Sequence, residues 1–218
     1  MCTRKLNKLI IVDGTSIQMK IAEDLDIKNE RYKCEKQTVP VKYEKMTNEM
    51  KLQELAHQKG SAAARHFSMA YNDDLIIVAI ETATIMGNRM FKKPRTEKQI
   101  ATLLKNLSGK THKVVSGVCL WWGKKGVTIK DETLVTFREI SDEEIAKYAE
   151  SKDFAYPEEC FNSGKGMEFV EKIEGSFYNL LGMPMNKIYE LLEAEFLFKI
   201  VKETDCGIWE ISDKQEGF

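Results

Sequence analysis

The run Leu75-Ile76-Ile77-Val78-Ala79-Ile80 is apolar at every position and rich in β-branched residues, and it ends in Glu81-Thr82. A strand apolar on both faces needs cover above and below, so the chain is read as an α/β fold built around this stretch. Ligands of open α/β sheets gather beyond the carboxyl ends of strands, which makes Glu81 and Thr82 candidates for chemistry. The same carboxylate could simply turn into solvent, and the rest of the chain has to decide between the two readings.

Lys8-Leu9-Ile10-Ile11-Val12 reads as an earlier strand, Asp13-Gly14-Thr15-Ser16 as its turn, and Ile17, Ile21 and Leu25 as one face of a helix capped by Thr15 or Ser16. A strand, a glycine turn and a helix amino terminus can hold a phosphate, although Asp13 puts negative charge there and a plain turn with a cap explains the residues as well. The charged segment 29–48 suggests one short strand through Val39, Val41 and Tyr43. A long helix is expected from Glu49 to about Tyr71, carrying Lys59 and His66.

After the Glu81 strand, Ala83–Met86 and Arg89–Phe91 form a hairpin on Gly87-Asn88, followed by the basic run Lys92-Lys93-Pro94-Arg95. That run either folds back to give charge to a phosphate or is a solvated turn. Ile100, Leu103, Leu104 and Leu107 mark the next helix, stopped at Ser108-Gly109. Strands are expected at Thr111–Trp122, Val127–Lys130, Thr133–Arg138 and Met167–Glu174, a capped helix from Ser141 through Tyr148, and a last helix opened by Pro184. Gly164-Lys165-Gly166 is either a close approach to a ligand or a tight turn, and the polar tail 202–218 is expected to dock loosely or fray.

A net charge of −1, with 31% charged residues, gives no electrostatic ground for a nucleic-acid polymer or a membrane as partner. The five cysteines form no Cys-x-x-Cys pair, which suits reduced thiols, and the polar start Met1–Leu6 predicts no secretory leader. A cytoplasmic protein is expected.

The run Leu107-Ser108-Gly109-Lys110-Thr111-His112-Lys113-Val114-Val115-Ser116-Gly117-Val118 resembles the Leu-Ser-Gly-x-x-His-x-Val-x-Thr-Gly-Val signature of the Maf-like nucleotide pyrophosphatases. Phe137-Arg138 with Ser141-Asp142-Glu143-Glu144-Ile145, Leu55-Ala56 with Lys59, and Gly164 through Pro184 resemble further blocks of that family, in its order. The resemblance implies a curved mixed sheet in two lobes flanked by helices, similar to the inosine triphosphatases, with a nucleotide cleft between the lobes. Residues 1–195 are expected to form this single domain, and 196–218 a carboxyl-terminal extension.

The implied reaction splits a nucleoside triphosphate, noncanonical or modified, into monophosphate and pyrophosphate with Mg or Mn. The carry-over makes Glu81 the metal-binding catalytic carboxylate, with Lys59 and Lys93 as catalytic cations. Substrate contacts fall on Thr15, Ser16, Thr82, Arg138, Ser163 and Lys165, and a homodimer is compatible with the resemblance. Several positions depart from the family pattern; among others, its paired arginines become Ile17 and Gln18, its first serine Asp13, a glutamine Ser163, a glutamate Lys20, and the aspartate of its Asp-Thr pair Glu81. A guanidinium fork on phosphate is hard to replace, so a fold that has lost turnover and acts as a nucleotide-binding or protein-interaction module is the alternative reading.

Overall fold

The structure is a computed structural model, and it describes residues 4–6, 8–34, 45–67, 75–91, 94–151, 164–196 and 198–199. Its main sheet is formed by β2 (Lys8–Val12), β3 (Asn29–Tyr32), β4 (Leu75–Met86), β5 (Arg89–Phe91), β6 (Thr111–Trp122), β7 (Lys125–Phe137) and β8 (Val170–Glu174), and β1 (Arg4–Lys5) pairs separately with β9 (Phe198–Lys199). The helices are α1 (Ser16–Asp24), α2 (Asn48–His66), α3 (Glu97–Leu107), α4 (Asp142–Glu150), α5 (Phe177–Leu180) and α6 (Met185–Phe196). The strand order is β3-β2-β4-β6-β7-β8, with β5 added beside the far half of β4. β2 is parallel to both β3 and β4, while β4, β6, β7 and β8 are antiparallel in turn.

The apolar run therefore lies inside the sheet, and Ile76, Ile77, Val78 and Ala79 are wholly buried. Its alternate side chains meet different helices. Ile76 and Val78 pack with Ile21 and Ala22 of α1 and with Ile188 and Leu192 of α6. Ile77 and Ala79 pack with Ala56, Ala63 and Ala64 of α2. A third apolar centre joins α3 and α4 to the far ends of β6 and β7, through Leu104, Leu107, Val114, Val135, Phe137 and Ile145. Two lobes result, tied together by the long strands β4, β6 and β7.

The expected elements needed correction in several places. β4 does not stop at Thr82 but runs to Met86, because the same strand carries the hairpin with β5. β7 is one strand rather than two, since β6 pairs with it without a break from Thr111↔Thr136 to Trp122↔Lys125. Gly164–Phe169 is a 3-10 turn, so β8 starts only at Val170, and α5 precedes the last helix. The charged segment holds β3, an edge strand; the strand expected at Val39, Val41 and Tyr43 lies outside the described residues, as do 68–71 and the tail 200–218. Among the described residues no helix is long and apolar enough to cross a membrane.

Candidate active site

From β2 the chain passes through α1 to β3 on one side, then returns through α2 to β4 on the other side of β2. α1 and α2 cover opposite faces and the strand order reverses at β2, the kind of point beyond whose carboxyl end open α/β sheets hold their ligands. Val12, the last residue of β2, pairs with Ala79, and on that edge β4 meets its next partner, β5, only at Thr84. Glu81 lies in this gap. It is mid-strand in β4 and at the switch point all the same.

Asp13 and Lys59 converge on it. The Lys59 ammonium contacts Glu81 Oε1 at 2.5 Å and Asp13 Oδ2 at 2.8 Å. Its side chain is 18% exposed, Asp13's 30% and Glu81's 24%, so the three are only partly screened by water. Burial draws the Lys59 pKa down, but the Glu81 and Asp13 carboxylates outweigh it and hold the ammonium's pKa above the usual lysine value. The lysine stays charged.

The placement of Lys59 depends on how closely α2 lies on the sheet. Gly117 of β6 pairs with Glu81, and a Cβ there would strike the backbone of Leu52 and Gln53 in α2. Only glycine admits the helix at that depth. Thr47 caps α2 by accepting from the Met50 N–H, and Arg65 and His66 in its last turn suit the helix dipole.

Asp13 was read from sequence as a group that would repel an anion, and its part in this cluster was missed. It has φ 50°, its N–H donates to the Tyr32 carbonyl at 2.7 Å, and its Oδ1 accepts from the Cys34 N–H at 2.9 Å. A short acid that tolerates the left-handed region, set directly after a strand, was the available signal.

Thr82 points to the other face. Its hydroxyl is 2.7 Å from that of Ser116, its partner on β6, and Thr82 and Gln18 both lie beside Gly182. Gln18 is buried and fully engaged: its Oε1 accepts from the Thr15 N–H while its Nε2 donates to the Gly182 carbonyl. Thr15 accepts in turn from the Gln18 N–H, completing a capping box at the start of α1, where Ser16 is the first helical residue. Ile17 packs into the apolar cluster under α1. The two positions that bear arginines in the resembled pattern are thus a helix bracket and a core contact.

Arg138 is also engaged, with Glu144 at 2.8 Å and with the carbonyls of Glu168 and Glu139. That guanidinium, with the Ser141 N–H and hydroxyl, holds the Glu144 carboxyl down to about 2. In register Glu81 pairs with Gly117 and Gly117 with Lys130, which leaves Arg138 in the far lobe, about 25 Å further along the strand direction at the usual rise. Lys165 belongs to the 3-10 turn, Arg95 is exposed ahead of α3, and Lys93 and Ser163 lie outside the described residues.

Two carboxylates sharing one cation are a hard-oxygen donor set, the kind that binds Mg or Mn together with substrate phosphates and water. Among the described residues no group of three or more His, Cys, Asp and Glu that could hold a metal ion comes together; at this site Asp13 and Glu81 are two such donors.

A sheet wound both ways about β2, with an acid–lysine–acid group at the switch point, defines an open α/β protein with a charged group where such sheets hold their ligands. The chain belongs to the Maf-like protein family, whose model matches residues 17–195. It is 39% identical over 123 residues to a protein named dTTP/UTP pyrophosphatase from Clostridium acetobutylicum, covering 55% of this chain and 62% of that one. A protein of the same name from Aquifex aeolicus is 36% identical over 122 residues, covering 56% and 64%. In both cases the match spans less than two thirds of the relative's own length. A third, from Bacillus cereus strain AH187, is 36% identical over 140 residues, covering 64% and 71%. The solved structure of the Staphylococcus aureus Ham1 protein aligns at TM-score 0.39 and 12% identity over 60% of this chain and 71% of its own, a likeness too slight to argue from.

Proposed function

We propose that the chain is a nucleoside triphosphate pyrophosphatase, releasing pyrophosphate and leaving the nucleoside monophosphate. The observation that carries this is the Asp13–Lys59–Glu81 group at the switch point, in a chain of the Maf-like family. Water attacks the α-phosphorus; a bond forms to the water oxygen as the bond to the bridging oxygen of the β-phosphate breaks. Glu81 accepts the water's proton, and Lys59 offsets the charge that builds on the phosphate oxygens. Asp13 and Glu81 would hold the Mg or Mn, which when bound lowers the charge on the phosphates. Noncanonical or modified nucleotides belong to the proposed substrates, and dTTP and UTP enter the panel because the relatives carry those names.

The test is pyrophosphate release by the purified chain over standard and modified triphosphates, with Glu81→Ala beside it. Turnover that disappears in Glu81→Ala supports the assignment. A rate that the substitution leaves alone dismisses it.

A second reading is favoured by Gln18 and Ile17, whose side chains are committed to the fold. On that reading the cleft binds a nucleotide or a protein without turnover. An inactive chain that still binds nucleotide in calorimetry, and that stays inactive with arginine at both positions, decides for it.

A further inference from the structure

β7 is paired along its length on one side only. β6 follows it without a break from Lys125 to Thr136, while β8 reaches only Leu134 to Phe137 on the other side. Gly175, just past β8, lies against Glu132, and among the described residues nothing pairs with the outer edge from Lys125 to Asp131. The Phe137 N–H bonds to the Lys110 carbonyl on the β6 side, so the alternation of an antiparallel ladder turns the N–H and C=O groups of Gly126, Thr128 and Lys130 outward. Of the devices that blunt a free edge this one has lysines, but no proline and no bulge against β6. On the α2 face the edge borders a groove of about 350 Å³ lined by Met46, Met50, Gln53, Glu54, His57 and Thr128, in which Met50 is 47% exposed. The groove lies on the β7 flank of α2, whereas Lys59 reaches toward β2 and β4.

We propose that a second copy of this chain pairs along this edge, β7 against β7 in antiparallel sense about Thr128, joining the two sheets into one. The edge is self-complementary in that register. A two-fold axis through Thr128, perpendicular to the sheet, sets Thr128 opposite its counterpart, Gly126 opposite Lys130, Val127 opposite Ile129 and Lys125 opposite Asp131. Paired side chains share a face only when the axis passes through a residue. An axis at Val127 sets Lys125 against Ile129, one at Ile129 sets Asp131 against Val127, and one at Lys130 sets two lysines face to face. Of these axes, Thr128 alone brings opposite charges together, and it does so twice by symmetry. Asp131 is short of partners in its own chain: Oδ1 accepts from the Glu132 N–H at 3.1 Å, and Oδ2 has no hydrogen bond. Lys125, exposed and held by Glu195, has a further N–H to give. Because Thr128 belongs to the groove as well as to the axis, the grooves of the two copies adjoin and the second copy covers Met50. This goes beyond the pyrophosphatase reading and does not rest on it.

The experiment is sedimentation equilibrium on the full chain, in which a dimer that dissociates on dilution is expected. Lys125→Glu puts like charges opposite Asp131 at both ends of the pairing, and Asp131→Lys puts them opposite Lys125. Each variant, confirmed as folded by thermal unfolding, is expected to associate about tenfold or more weakly than the wild type. An equimolar mixture of the two variants brings opposite charges back to both ends, so it is expected to associate more strongly than either variant alone. Hydrogen exchange on the wild-type chain needs no variant: the amides of Gly126, Thr128 and Lys130 should exchange more slowly as concentration rises, while those of α3 should not change. A chain that is monomeric at every concentration overturns the proposal, as does a dimer indifferent to both variants or a mixture that gains nothing over them. Exchange at Gly126, Thr128 and Lys130 that is independent of concentration also overturns it, and slow exchange at every dilution would show that the chain covers its own edge.

Discussion

Glu81 and Thr82 are neighbours in β4, yet the two faces they enter are chemically opposed. On the α2 face, Glu81 meets Lys59 and Asp13 and the charges stay partly open to water. On the α1 and α6 face, the Thr82 hydroxyl pairs with that of Ser116 and the Gln18 amide donates to the Gly182 carbonyl, while Asp131 lies across from Ser116. That face continues along β6 and β7: Asn179 donates to the Val114 carbonyl and to the Thr133 hydroxyl, and His112 is buried against Phe137. Asp131 Oδ2, His112 Nδ1 and Asn179 Oδ1 on this face are buried with no hydrogen-bond partner, which costs desolvation that the open, ion-paired group on the other face is spared. The α2 face carries the acid–lysine–acid group, and the α1 and α6 face carries the hydroxyl and amide pairs.

The contrast is broken most severely at Glu81. Glu81→Ala is expected to lower turnover by about a hundredfold or more, the usual loss when a transition-state group is removed, with little change in melting temperature. Steady-state pyrophosphate release and thermal unfolding check the two halves of that statement.

The second face has its own signature in acid. Burial pushes the His112 imidazole down from 6.5 to about 4, against a smaller opposing pull from the Lys110 backbone. Between those values the unfolded chain binds a proton that the folded chain refuses, so stability falls as pH drops from about 6.5 toward 4. The loss reaches about 3 kcal/mol once both states are protonated. Urea unfolding at pH 7 and pH 4.5 should show it, and His112→Leu should flatten the slope.

Gly117→Ala acts between the faces, because the new methyl meets the α2 backbone. A cost of about 2 kcal/mol in denaturant unfolding is expected, together with weaker turnover as Lys59 is lifted away from Glu81. The smallest effect belongs to the neutral bracket. Gln18→Ala removes the bond to Gly182 and half of the capping box, for about 1 kcal/mol of stability, and leaves turnover within a few-fold of the wild type.

Much of this was legible in the sequence. The buried β4, the α3 stripe, the Ser141 capping box and the Gly87-Asn88 turn announce themselves because one local pattern fixes each. β3 was not legible: Asn-Glu-Arg-Tyr is an edge strand held by pairing with β2, with no alternation of its own. β7 reads from sequence as two strands either side of Asp131-Glu132, while β6 pairs with it throughout. Lys59 and Glu81 were singled out, but the third member of their cluster was not. Asp13 acquires its role from Cys34 and Lys59, contacts made across separate elements that no local pattern records.

The measurement that bears most directly on the charged face is pyrophosphate release from dTTP, UTP and modified triphosphates with Mg or Mn, comparing the wild type with Glu81→Ala. The expected result is metal-dependent release in the wild type that falls at least about a hundredfold in the folded variant. Release at an undiminished rate in Glu81→Ala would contradict it, and the chemistry would have to be sought away from the Asp13–Lys59–Glu81 group.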